Sequence, residues 1–165
     1  MNKVAVVTGG GGFIGHYLVG SLIQDYHVVV LDNFSRGTPE RLSNFKDKVT
    51  ILNCDITDYV SLQTSLAGYD VAVMFHLAAI NGTGNFYKIP VKIMDVGIMG
   101  CFNVLKYVKE NGVAKTVMAS SAEVYQDCSI IPTPEDVPLV VPDVKNPRFS
   151  YGLSKIYTEY YSYQF

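Results

Sequence analysis

Val4-Ala-Val-Val-Thr8-Gly-Gly-Gly-Gly-Phe-Ile-Gly15 joins a short apolar run to four consecutive glycines and then to a helix-like pattern. A continuous apolar run of this length reads as a buried parallel strand. The glycines permit a tight turn and let a ligand approach bare backbone. From Phe13 onward Phe13, Leu18, Leu22 and Ile23 recur at roughly helical spacing. The turn therefore opens a helix, whose free N–H groups and macrodipole favour a phosphate. The glycines fit two registers, Gly10-x-Gly12-x-x-Gly15 and Gly9-x-x-Gly12-x-x-Gly15. Asp32 gives the pattern its weight. It closes a second apolar run, Val28–Leu31, twenty residues after Gly12, where an acidic residue holds the ribose hydroxyls of a dinucleotide. A carboxylate there repels a 2′-phosphate, so the expected cofactor is NAD rather than NADP.

The 165 residues suffice for one domain with its own core. Hydrophobic residues make up 48% and charged residues 17%, a globular composition. A net charge of −2 gives no basic footprint for nucleic acid, and no apolar run approaches the roughly 20 residues needed to span a bilayer. Cys54, Cys101 and Cys128 form no CxxC pair and read as reduced thiols of a cytoplasmic protein. His16, His27 and His76 are isolated, so no metal site is expected.

Strands and helices alternate along the chain, which predicts a doubly wound parallel α/β sheet with helices on both faces. The first helix is expected over Gly12–Gln24, and strands over His27–Leu31, Val49–Asn53, Val71–Phe75 and Lys115–Ala119. Thr57 or Asp58 should cap a helix reaching Leu66. Asn33–Asp47 and Asn81–Gly84 read as connections, and Pro90 as the first turn of a helix to Glu110 stopped by Asn111-Gly112. Five of the seven prolines fall within residues 126–148, an irregular excursion before a last helix that starts near Phe149. Five strands are one short of the six in a complete doubly wound dinucleotide fold. Residues 1–165 are therefore expected to be the NAD-binding part of a longer polypeptide, without a C-terminal substrate domain.

Ligands of such a sheet sit beyond the carboxyl ends of its strands, and Ser120-Ser121 lies at one. Tyr151 and Lys155, four apart, project from one face of the last helix. An ammonium beside the phenol, with the positive nicotinamide nearby, is expected to draw Tyr151 below its usual pKa of about 10 and make it a general base. Ser121 can hydrogen-bond the same substrate hydroxyl.

These motifs resemble the extended short-chain dehydrogenase/reductase family, in particular its NAD-dependent nucleotide-sugar epimerases and dehydratases. Thr8–Gly15 is similar to TGxxGxxG, and Asp32-Asn-Phe-Ser-Arg-Gly37 to the ribose-binding DN-x-S-x-G. Cys54-Asp55-Ile56 resembles the segment that holds adenine, His76-Leu-Ala-Ala79 the HLAA element, Ser120–Tyr125 the SSxxVY element, and Tyr151-Gly-Leu-Ser-Lys155 with Glu159 the YxxSKxxxE element. The resemblance implies catalysis by Ser121, Tyr151 and Lys155. It implies an NAD site made by Gly9, Gly12, Phe13, Ile14, Gly15, Asp32, Asn33, Ser35, Arg36, Asp55, Ile56, Leu77, Ala78 and Ala79, with Tyr151 and Lys155 also at the cofactor. It further implies a nucleotide-sugar substrate, a transient keto-sugar, and a homodimer through the helices near 90–110 and 149–165. Two departures stand out: Gly97 replaces the asparagine of an N-x-x-G-T pattern, and Gln126 the glycine after Val-Tyr. Glu123, two after Ser121, recurs as an acid in dehydratases and decarboxylases of the family, which keeps decarboxylation open as an alternative. A silent NAD-binding module is the reading from a different class.

Overall fold

Residues 3–165 are described by the structure, a computed structural model. The apolar runs form five parallel strands, β1 (Val4–Thr8), β2 (His27–Asp32), β3 (Val49–Asn53), β4 (Val71–His76) and β5 (Lys115–Met118), in the order β3-β2-β1-β4-β5. Thr8 pairs with Leu31 on one side and His76 on the other. The carboxyl ends of the three central strands therefore finish side by side. Winding reverses between β1 and β4, and the crevice opened there is where such sheets take ligands.

Alternation along the strands builds two cores. Val6, Val29, Leu31 and Met74 pack on one face with Leu62, Val104 and Val108, which belong to α2 (Tyr59–Ser65) and α4 (Pro90–Glu110). Val7, Val28 and Val30 pack on the other with Leu42 and with Val19 of α1 (Phe13–Leu22). Asp58 caps α2 by accepting from the Ser61 N–H at 3.1 Å. Pro90 opens α4, and Gly112 ends it at φ 64°.

Two elements depart from expectation. Asn33–Asp47 contains a 3-10 helix, Pro39–Phe45, and the connection after β4 contains α3 (Thr83–Lys88). The first packs inward only through Leu42, which is buried, and Phe45, and the second begins directly after Gly82, whose φ of 111° suits glycine. Residues 126–148 are irregular, as their prolines dictate, up to a 3-10 turn at Pro147–Phe149. The last helix, α5 (Ser150–Gln164), lies along α4. Gly97 allows that contact, since a Cβ there would stand 2.6 Å from both Cβ and Oγ of Ser154.

Candidate active site

The glycine loop is held by its neighbours on every side. Gly9 donates to the Leu31 carbonyl at 2.8 Å and takes φ 73°. Any side chain at Gly15 would strike the Gly9 carbonyl oxygen, 2.2 Å from its Cβ. Asp32 is buried, and its two oxygens accept from the Gly11 N–H and the Phe34 N–H, each at 2.8 Å. Thr38 N–H donates to the Gly11 carbonyl at 3.1 Å, so the turn after β2 clasps the loop from above. At the β4 end the Thr8 hydroxyl accepts from the Leu77 and Ala78 N–H groups, both at 3.2 Å. Its own proton is left for Nδ1 of His76 at 2.8 Å. His76 is accordingly a neutral acceptor at Nδ1; burial, helped by the Lys155 charge, pulls it down to about 3.

One cleft runs over these strand ends. Gly9 and Gly12 form its floor, with Asp32, Asn33, Ser35 and Arg36 at the β2 turn. Asp55 and Ile56 line it after β3, and Leu77, Ala78 and Ala79 after β4. Gly15 seals α1 beneath. Phe13 and Ile14 are 69% and 70% exposed and lie outside the lining. Burial pushes the Asp55 carboxyl up, but hydrogen bonds from Thr57 and Asn33 and the charge of Lys92 outweigh it and hold it below the ordinary range. Lys92 also lines the cleft. Asn103, buried on α4, donates to the carbonyls of Ile56 and Thr57, each at 2.9 Å, and holds the strand end in place. Neither residue stands in a motif; a buried asparagine in an apolar helix stripe was the one sequence signal for Asn103. Among the described residues no group of three His, Cys, Asp or Glu side chains could hold a metal ion, and no helix is long and apolar enough to cross a membrane.

A second cleft adjoins the first where Ala79 and Ile80 pass into Asn81. It brings together Ser121, Tyr151, Glu123, Gln126, Arg148 and Asn81. Tyr151 is buried against Ile80, Phe86 and Ile93, its ring stacked with Phe86 at 6.0 Å. Ser121 caps a short 3-10 turn, accepting from the Glu123 N–H at 3.2 Å. Both Glu123 oxygens are taken by the Arg148 guanidinium, at 2.8 and 3.1 Å, a bidentate pair that Arg148 extends over the Phe86 ring at 4.9 Å. Gln126 adopts φ 48°, a conformation that favours glycine, and its amide donates to the Glu123 carbonyl.

Lys155 departs from expectation. Its ammonium is buried and donates to the Ala119 carbonyl at 2.6 Å, 5.8 Å from the centre of the Tyr151 ring. Burial drags the lysine itself down to about 8, with Cys101 opposing. Burial likewise pushes the Tyr151 phenol up rather than down, while hydrogen bonds from Ser121 and Asn81 counteract it. Among the chain's own groups desolvation disfavours both charged forms and outweighs the ammonium at the phenol.

The lysine shift has a consequence for stability. Between about 8 and its ordinary 10.5 the unfolded chain keeps a proton on Lys155 that the folded chain has lost, so stability from this group rises with pH across that window. Lys155→Met is expected to stabilise the fold at pH 7, by an amount on the order of 2–3 kcal/mol at most. It should also flatten the rise between about 8 and 10.5. Urea unfolding at several pH values checks both; an unchanged slope would contradict the assignment.

Known proteins resemble this chain in sequence and fold. The sequence profile of the "NAD dependent epimerase/dehydratase family" matches residues 5–165. A putative UDP-glucose 4-epimerase of Methanocaldococcus jannaschii is 35% identical over 94% of this chain and 48% of its own length. The UDP-glucose 4-epimerase of Bacillus subtilis is 33% identical over 93% of this chain and 45% of its own. A UDP-galactose 4-epimerase structure superposes with a TM-score of 0.81 at 34% identity, covering 96% of this chain and 50% of that one. The Thermotoga maritima UDP-glucose 4-epimerase, solved with UDP-glucose, gives 0.86 at 29% identity, with 98% and 50% covered. The chain thus spans about half the length of the curated relatives it matches. It belongs to the NAD-dependent epimerase/dehydratase family, a branch of the extended short-chain dehydrogenases/reductases.

Proposed function

We propose that the chain holds NAD in the first cleft and supplies the cofactor and catalytic half of a nucleotide-sugar 4-epimerase. The observation that carries this is the adjacency of the two clefts: Tyr151 and Ser121 open beside Ala79 and Ile80, at the end of the cleft opposite Asp55 and Ile56. The cradle suits a dinucleotide, since bare glycine backbone and the start of α1 receive a pyrophosphate. Asp32 stands ready for the adenosine ribose, and Asp55 with Ile56 for adenine. A Bifidobacterium longum UDP-glucose 4-epimerase solved with NAD+ and UDP, 28% identical with a TM-score of 0.85, supports the same cofactor.

When bound, NAD accepts a hydride from a sugar carbon and returns it. The chain's part is proton handling and orientation. Tyr151 takes the proton of the sugar hydroxyl, and Ser121 hydrogen-bonds the same oxygen as negative charge develops there. Lys155 braces the Ala119 carbonyl, which holds the β5 end and hence Ser121 in place. Glu123 favours epimerisation over dehydration or decarboxylation: with both oxygens engaged by Arg148, it is not deployed as an acid toward a sugar carbon.

In a protein carrying this chain together with a sugar-binding half, Tyr151→Phe is expected to lower interconversion of UDP-glucose and UDP-galactose by 10²-fold or more, within the usual range of about 10²–10⁴ for general acid–base groups. The variant should still bind NAD. Full activity of the variant would rule out the assignment. Met99 and Phe102 of α4 and Tyr160 of α5 are exposed apolar side chains, and we infer that a second copy covers the α4 and α5 helices. Sedimentation should show a dimer at micromolar concentration; a monomer throughout would contradict this.

A further inference from the structure

Helix α4 brings no amide to the phenol, because Gly97 lies hard against Ser154 and leaves no room for any side chain. The loop after β4 does. Asn81 lines the cleft with Ser121 and Tyr151, and its backbone is unusually well fixed for an exposed residue. Its carbonyl accepts from Arg36 Nη1 at 2.5 Å and from Asn85 Nδ2 at 2.9 Å. Arg36 reaches it from the β2 turn, 45 residues earlier in sequence, across the mouth of the first cleft. Gly82, at φ 111°, then turns the chain into α3.

We propose that Asn81 is the amide partner of Tyr151, donating to the phenol oxygen from the side opposite α4 while Arg36 ties its position to the dinucleotide cleft. The role rests on Tyr151 being the proton acceptor proposed above. A side-chain amide can donate to a phenolate but carries no charge of its own, so it stabilises the ionised form without competing for its proton. Asn81 lines the same cleft as the Tyr151 phenol and Ser121, and its side chain favours the ionised phenol alongside Ser121 and against burial. Arg36 lines the cofactor cleft and clasps Asn81 at once, so a ligand that draws Arg36 away also loosens the amide.

The test is the ionisation of Tyr151 in the 165-residue chain, followed by NMR of tyrosine labelled with carbon-13 at Cζ, with Tyr151→Phe identifying the signal. Asn81→Ala is expected to move its midpoint upward by about one pH unit, the size of one hydrogen bond to a charged group. Asn81→Asp, which replaces the donor by a carboxylate, should move it further. Arg36→Ala should move it part of the way. An unmoved midpoint in Asn81→Ala and Asn81→Asp, with the chain still folded by circular dichroism, would overturn the proposal. Because this readout needs no turnover, a failure of the Asn81 contact shows in the Tyr151 titration and is distinguished from a failure of the epimerase reading, which shows in turnover.

Discussion

The Asp32 carboxylate is the constraint on which the cofactor end of the molecule depends. One oxygen accepts from Gly11 and the other from Phe34, so a single buried group joins the glycine loop after β1 to the turn after β2. A buried carboxylate left without partners would be costly; here each oxygen has a backbone donor. Loop and turn are drawn together over the crevice, and Gly37 meets Gly11 and Gly12 so closely that its Cβ would stand 2.5 Å from the Gly11 carbonyl carbon. What faces a ligand is thus backbone N–H and one acidic edge.

At the other end the constraint is desolvation. Tyr151 and Lys155 sit in the buried seam of α5 against α4, closed by the Gly97–Ser154 contact. The same burial that fixes their geometry penalises phenolate and ammonium alike, so neutral hydrogen-bonding neighbours must supply what the lysine alone does not. Ser121 comes from the β5 end and Asn81 from the β4 end. Two neighbouring strands, β4 and β5, therefore contribute these groups from their carboxyl ends.

Much of this was legible in the sequence because it is local. The strand–glycine–helix unit, Asp32 at the end of a strand, the cap at Asp58 and the Tyr151/Lys155 pair on one helix face all depend on residues close in the chain. What escaped depends on contacts across it. Asn103 and Lys92 serve the cleft from α4, 47 residues beyond Ile56 in the case of Asn103. Arg148 engages Glu123 over a separation of 25, and Arg36 engages Asn81 over 45. Short elements such as α3 leave too few residues for a periodic pattern. Spacing on a helix shows which groups are near; for the chain's own groups, burial decides which charge state they favour.

Competitive titration of NAD and NADP against the 165-residue chain, repeated with Asp32→Ala, tests the central claim most directly. The account predicts tighter binding of NAD by the wild type. The variant should bind NAD more weakly, because the glycine loop loses its Gly11 anchor, and its preference over NADP should collapse, because the carboxylate that repels a 2′-phosphate is gone. Equal affinities of the wild type for the two cofactors, or an unchanged preference in Asp32→Ala, would contradict it.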